Sequence, residues 1–246
     1  MTINSIMQLG KAGMQYSLFA GQVASMLAIV PMAMYATATQ WAIGGAMYIG
    51  IMLFGLTLGY HRYLSHKMFK CPKWFELVML FFAHIMMVGP AILWVATHRA
   101  HHKFTDTEKD PHSPLFKGYF YAHFLQVFTE PNVKWAGNLL RDNLYRAQVK
   151  YYWEFIAVYA LVLSLIDPFA LIYAWLAPAG FAKLIGSSVF SYSHRNGEAH
   201  NDLIVGLLTF GEGFHTLHHE TQRETLFHPL DIGGRTIQLI KLGFKQ

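Results

Sequence analysis

The chain has 246 residues, 54% of them hydrophobic and only 13% charged, with a formal net charge of +5. Soluble domains carry about 25% charged residues, so this composition excludes disorder and argues against an ordinary soluble enzyme. One cysteine, Cys71, excludes a disulfide framework and any Cys-based zinc or iron–sulfur cluster, while the fourteen histidines equal the whole Asp plus Glu count.

Residues 1–13 lack the basic, apolar and small-residue order of a removable signal peptide, so the N-terminus is expected to be retained. Two uncharged apolar runs follow, 16–36 and 41–60, each near the length a membrane helix needs. The short connector 37–40 makes them a hairpin, and Pro31 is expected to kink the first helix. A third apolar run, 74–96, contains Gly89-Pro90 and only Glu76 and His84 as ionisable groups. Segment 151–192 provides two more spans, 151–166 and 169–192, turning at Asp167-Pro168.

Lys and Arg crowd the segments 61–73, 97–150 and 193–246 and are missing from both tight turns. The positive-inside rule then puts the termini and all basic segments in the cytoplasm. A full crossing at 74–96 would separate 61–73 from 97–150, so that run is expected to be interfacial or re-entrant and broken near Pro90; an ordinary fifth span is the alternative. The predicted architecture is all-α and membrane-embedded. It has four spans in two hairpins and a cytosolic helical cap, as one domain over 1–246.

Eight histidines form three clusters: His61 and His66; His98, His101 and His102; His215, His218 and His219. The last two share H-x-x-H-H spacing, which puts three imidazoles on one helical face. The five-residue step of the first cluster does not share an α-helical face and needs a helix end or two metals. Isolated His84, His123 and His228 read as hydrogen-bonded structural residues, and His112 as a neighbour of the site. Eight imidazoles exceed one zinc site and suit two ions that each keep an open position, for which iron is the best fit. Asp106, Asp110, Glu212 and Glu220 are candidates to accept the outward N–H of ligating rings.

These strings resemble the integral membrane fatty-acid desaturases, in particular the Δ9, stearoyl-CoA desaturase-like branch. The run from His98 to Asp106, continuing to Asp110-Pro111-His112, resembles the second box of that family; Gly211 to His215 with His218-His219 resembles the third, and His61 to His66 the first. The resemblance covers roughly 50 to 220. It implies a diiron enzyme that uses O2 and an external electron donor to insert a cis double bond into a long saturated acyl chain. The eight box histidines would be ligands. For the family's ninth, after the last span, His194 keeps the following x-x-G but has Phe190 in place of the family's asparagine, while His200 follows Asn196 at the family spacing. His194 is preferred for its place at the end of a span. No haem-binding segment is expected, so electrons would come from a separate carrier, with the basic surface 134–150 as a candidate contact for it or for anionic lipid.

Before the second box the chain reads Leu93-Trp94-Val95-Ala96-Thr97-His98. Trp94 is expected to line the acyl channel. The charged neighbours typical of acyl-CoA members are missing, so a CoA-, lipid- or carrier-linked chain all remain open. Gly55, Gly59, Ala91, Gly180 and Gly186 are candidates for the channel floor or for helix packing. Lys183 would snorkel to the cytosolic surface or meet the substrate head. Trp41, Tyr60, Trp74, Tyr151, Tyr152, Trp153 and Tyr192 are expected to form an interfacial belt. A membrane diiron hydroxylase of an alkane, sterol or carotenoid is the alternative activity, separated by its product. A membrane metal transporter is the alternative from another class, against which the nearly unpolar spans argue.

Overall fold

A computed structural model describes residues 13–130 and 132–244. The expectation for residues 1–13 therefore falls, except for Gly13, outside the described residues. Among the described residues every regular element is a helix, and an isolated bridge pairs Asn201 with Phe214.

The first apolar run is α1 (Gly13–Leu27) and α2 (Ile29–Tyr35). Pro31 has no N–H to give the Leu27 carbonyl, and the regular helix breaks at Ala28 between them. The connector is shorter than expected, because α3 (Ala38–Ile49) already begins at Ala38. Thr37 caps it: the Gln40 N–H donates to Thr37 Oγ1, and the Thr37 N–H donates to Gln40 Oε1.

From α3 the chain runs directly into α4 (Gly50–Ser65), which is wound with i→i+5 hydrogen bonds over 16 residues. Such π-winding is rare and favours functional sites. Helix α5 (Lys73–Ile85) lies along α4. It fits because Gly55 and Gly59 have no side chain: a Cβ on Gly55 would sit 2.6 Å from the Ala83 nitrogen, and one on Gly59 would sit 3.1 Å from Met79 Cβ. The one acid in α5, Glu76, accepts from Tyr145 (2.5 Å), Tyr63 (3.1 Å) and Lys73 (2.9 Å). A buried carboxylate is tolerated there because every contact is a donor.

The run 74–96 is not one helix. After α5 the chain passes Met87 and Gly89, both at positive φ (57° and 96°), and Pro90 starts α6 (Ala91–Phe104). Further on, α7 (Asn143–Lys150) and α8 (Tyr152–Ile166) meet at a 69° bend. After the Asp167 turn the chain forms α9 (Ile172–Leu176) and α10 (Ala177–Ser191).

Among the described residues two helical stretches, Gly13–Tyr35 and Ala38–Ser65, are long and apolar enough to cross a membrane, or three if the bent α7–α8 pair counts as one. Helix α10 packs along α1 through Gly180, where a Cβ would lie 2.2 Å from the Ser25 carbonyl oxygen. A backbone atom cannot retreat as a side chain can. Gly180→Ala is expected to destabilise the protein by roughly 1–3 kcal/mol, read as a lower midpoint in thermal unfolding; an unchanged midpoint would contradict this packing.

The belt assignment needs correction at two positions. Tyr60 and Tyr152 are 0% and 1% exposed. Tyr60 donates to the Gly89 carbonyl at 3.2 Å, and Tyr152 stacks on His84. Both are core residues whose hydroxyl or ring has a protein partner. Trp41, Trp74, Tyr151 and Tyr192 are exposed, as a belt requires.

Candidate metal centre

The local folds explain how the three boxes converge. In α4 the His66 N–H bonds back to the His61 carbonyl at 3.2 Å. With i→i+5 winding, residues five apart rise one above the other, and the two rings meet at 4.7 Å. The helix thus supplies the shared face that an α-helix would deny this spacing, and no helix end is needed at His61. The second box lies on one face of α6. The third lies on a short helix, α11 (His215–Glu220), placed by its glycines. Gly211 has φ +122°, and a Cβ there would lie 1.9 Å from Asp231 Oδ1; a Cβ on Gly213 would lie 2.3 Å from the Gly206 nitrogen.

The imidazoles gather in two groups. His61, His66, His98, His102 and His218 form one; His101, His194, His215 and His219 form the other. Boxes two and three each contribute to both. Within the first group, Nε2 atoms approach at 2.8 Å (His66–His98, His102–His218) and 3.0 Å (His61–His218, His98–His102). Within the second they approach at 3.0 Å (His194–His215, His215–His219) and 3.2 Å (His101–His194). At a metal–nitrogen distance of about 2.0–2.1 Å, ligands at right angles sit about 2.9 Å apart and tetrahedral ligands about 3.4 Å apart. The spacing therefore suits ions of more than four-fold coordination better than tetrahedral zinc.

Proton accounting strengthens the fit. His101 Nδ1 donates to Asp110 at 2.9 Å, His194 Nδ1 to Asp106 at 3.1 Å and His215 Nδ1 to the Glu212 carbonyl at 3.0 Å. A neutral imidazole has one N–H, and these rings have spent theirs outward. Their Nε2 lone pairs then face one another, an arrangement that a cation resolves. Burial, reinforced by neighbouring imidazoles, holds His98, His101, His215 and His218 well below the usual histidine range. His66 and His219 are each held down to about 3, again chiefly by burial. All six are thus neutral at pH 7, the form that ligates. Burial pushes the Asp110 carboxyl up to about 6 and that of Glu212 up to about 8, against the pull of Arg62 on the latter.

Three of the four candidate acceptors face the site: Asp106, Asp110 and Glu212, whose carboxylate lies against His61 Nδ1. Glu220 is exposed and holds no box histidine. His194, not His200, stands among the box residues; His200 instead bonds the Arg195 carbonyl at 2.9 Å. His84 bonds the Tyr152 carbonyl, His123 bonds Ser191, and His228 stacks on Phe214. His112 is buried against His101 and Phe190, their ring centres each 4.4 Å away.

The sequence reading missed what holds the site together. Arg62, between the two box-one histidines, is 0% exposed. It donates to both carboxylate oxygens of Asp231 at 3.0 Å and to Glu212 at 3.2 Å. Its place inside H-x4-H was the available signal; its partner lies 169 residues away.

A largely apolar cavity opens beside the first group, with His98 and Trp94 in its wall. Trp94 stacks on His98 with ring centres 5.0 Å apart. Of the five small residues considered for the floor, Gly186 alone lines this cavity; Gly55, Gly59 and Gly180 serve helix packing, and Ala91 is core. Lys183 lines it too, and at 4% exposure it does not snorkel.

The profile of the fatty acid desaturase family matches residues 38–221. An acyl-CoA 5-desaturase of Anemone leveillei is 34% identical over 186 residues, covering 68% of this chain and 57% of that protein. The chain belongs to the fatty acid desaturase family. A delta-9 acyl-lipid desaturase of Arabidopsis thaliana is 33% identical, covering 67% of this chain and 59% of that relative. The chloroplastic palmitoyl-monogalactosyldiacylglycerol delta-7 desaturase of the same plant is 32% identical, with 70% and 51% covered. The chain thus spans between half and three-fifths of the length of these relatives. The desaturase boxes fall within the matched stretch, as does the proposed ninth histidine, His194.

Proposed function

We propose that this chain is an oxygen-dependent diiron fatty acyl desaturase that inserts a cis double bond, at the Δ9 position, into a long saturated acyl chain. The observation that carries this is the pair of inward-facing imidazole groups beside an apolar cavity, in a chain of this family. His61, His66, His98, His102 and His218 would hold one iron, and His101, His194, His215 and His219 the other. With O2 and electrons, bound iron supplies the oxidising power that an unactivated methylene C–H bond demands and no side chain has.

The protein's own residues do the rest. Asp106, Asp110 and Glu212 fix the tautomers and directions of the rings they touch. Trp94, stacked on His98, forms part of the cavity wall beside the imidazoles and would hold methylenes against them. The apolar lining keeps water away and admits an alkyl chain, whether it is linked to CoA, a lipid or a carrier. The four spans expected at 16–36, 41–60, 151–166 and 169–192 would seat 1–246 as one membrane unit with its boxes on the cytoplasmic side. The exposed Lys134, Arg141 and Lys150 would face a separate electron-transfer protein.

Expression in cells of known lipid content, followed by mass-spectrometric mapping of double bonds, tests this reading. A new cis alkene at one fixed position is expected. A hydroxylated product without alkene would assign the chain to the hydroxylase chemistry instead.

A further inference from the structure

The cavity wall holds a basic group that the proposed chemistry does not use. Lys183, on α10, is 4% exposed, and its Nζ has no hydrogen-bond partner among the described residues. No carboxylate from the described residues lines the cavity with it. Its glutamine neighbours there are neutral and already engaged: Gln15 donates to the Thr129 carbonyl at 3.1 Å, Gln22 to the Phe124 carbonyl at 3.0 Å, and Gln126 to Ser187 at 3.4 Å; buried His112, whose ring nitrogens have no partner among the described residues, lies in the same wall. Dipoles do not neutralise an ammonium, and an unpaired buried cation is costly. Most of the remaining wall is apolar and suits methylenes.

We propose that Lys183 binds an oxyanion carried on the alkyl chain that enters the cavity, a carboxylate or a phosphate. The inference rests on reading the cavity as the acyl site and adds to it the charge of the occupant. Lys183 and Phe190 both line the cavity and lie seven residues, about 10 Å, apart along one helix, and Phe190 packs on His112, so the anion would be held away from the histidine end. A chain tethered there presents the histidines with carbons counted from its anionic end. Lys183 thereby becomes a determinant of specificity.

The test is direct binding to the protein in lipid nanodiscs, which needs no turnover and so separates this inference from the desaturase reading. The probes are radiolabelled palmitate, hexadecyl phosphate and methyl palmitate, with empty nanodiscs subtracted. At least one anion is expected to bind about tenfold or more tightly than the ester, as a charge-assisted hydrogen bond provides; whichever it is names the source. Lys183→Met is expected to erase the preference while leaving ester affinity within about twofold, and Lys183→Arg to keep it. Equal binding of all three probes to the unaltered protein overturns the inference, as does a preference that survives Lys183→Met. Should the Met variant bind no chain at all, Lys183→Arg decides: loss of preference with ester binding intact also overturns it. Desaturation without anion preference would leave the acyl-site reading standing and remove this one; failure of every chain to bind would remove both.

Discussion

Replacing His101 with Ala is expected to abolish turnover and to lower the iron content from about two ions per chain to one or fewer, measured by metal analysis of the purified protein alongside product analysis. His101 contributes twice. Its Nε2 lies 3.2 Å from that of His194, and its Nδ1 donates to Asp110. The substitution removes a proposed ligand and also leaves a fully buried carboxylate without its ring partner. His200→Ala is the control. It resembles the other change chemically, yet His200 bonds only a backbone carbonyl outside both groups, so metal content is expected to hold. Full activity in His101→Ala would be incompatible with the diiron reading.

The largest stability effect is expected at Asp231. Its carboxylate accepts two hydrogen bonds from Arg62, with both side chains 0% exposed, and it also accepts from the Gly234 and Phe227 N–H groups. Asp231→Ala leaves a buried guanidinium held by Glu212 and the Thr225 carbonyl alone. Breaking one side of such a pair costs about 3–5 kcal/mol, and loss of the cap on the C-terminal helix (Ile232–Gly243) adds to it. Thermal unfolding in detergent should show a large drop in midpoint. Because Arg62 is flanked by His61, a parallel loss of bound metal is expected even in the fraction that folds. A midpoint unchanged by Asp231→Ala would mean that Arg62 does not depend on this partner.

Much of the site was legible in the sequence because H-x-x-H-H on a helix is local geometry: three rings on one face follow from the helical repeat alone. His194 was legible from its position at the end of an apolar run. What was not legible were departures from regular winding and contacts across long stretches of chain. No residue of H-x4-H announces the π-winding that unites His61 with His66. The tyrosines at 60 and 152 fit an interfacial pattern by sequence and were claimed by the core, since each found a polar partner inside. Of the glycines offered for the channel floor or for helix packing, Gly55 and Gly180 are clearances for backbones while Gly186 lines the cavity, because a missing side chain suits both uses equally.

The interleaving of the boxes has a consequence for how the centre is assembled. Helix α6 sends His98 and His102 to one group and His101 to the other; the short helix α11 likewise divides His218 from His215 and His219. Filling either position would settle two helices that the other position also needs, so loading should be cooperative, with singly occupied chains scarce at intermediate metal supply. An architecture of this kind favours all-or-nothing maturation of the centre.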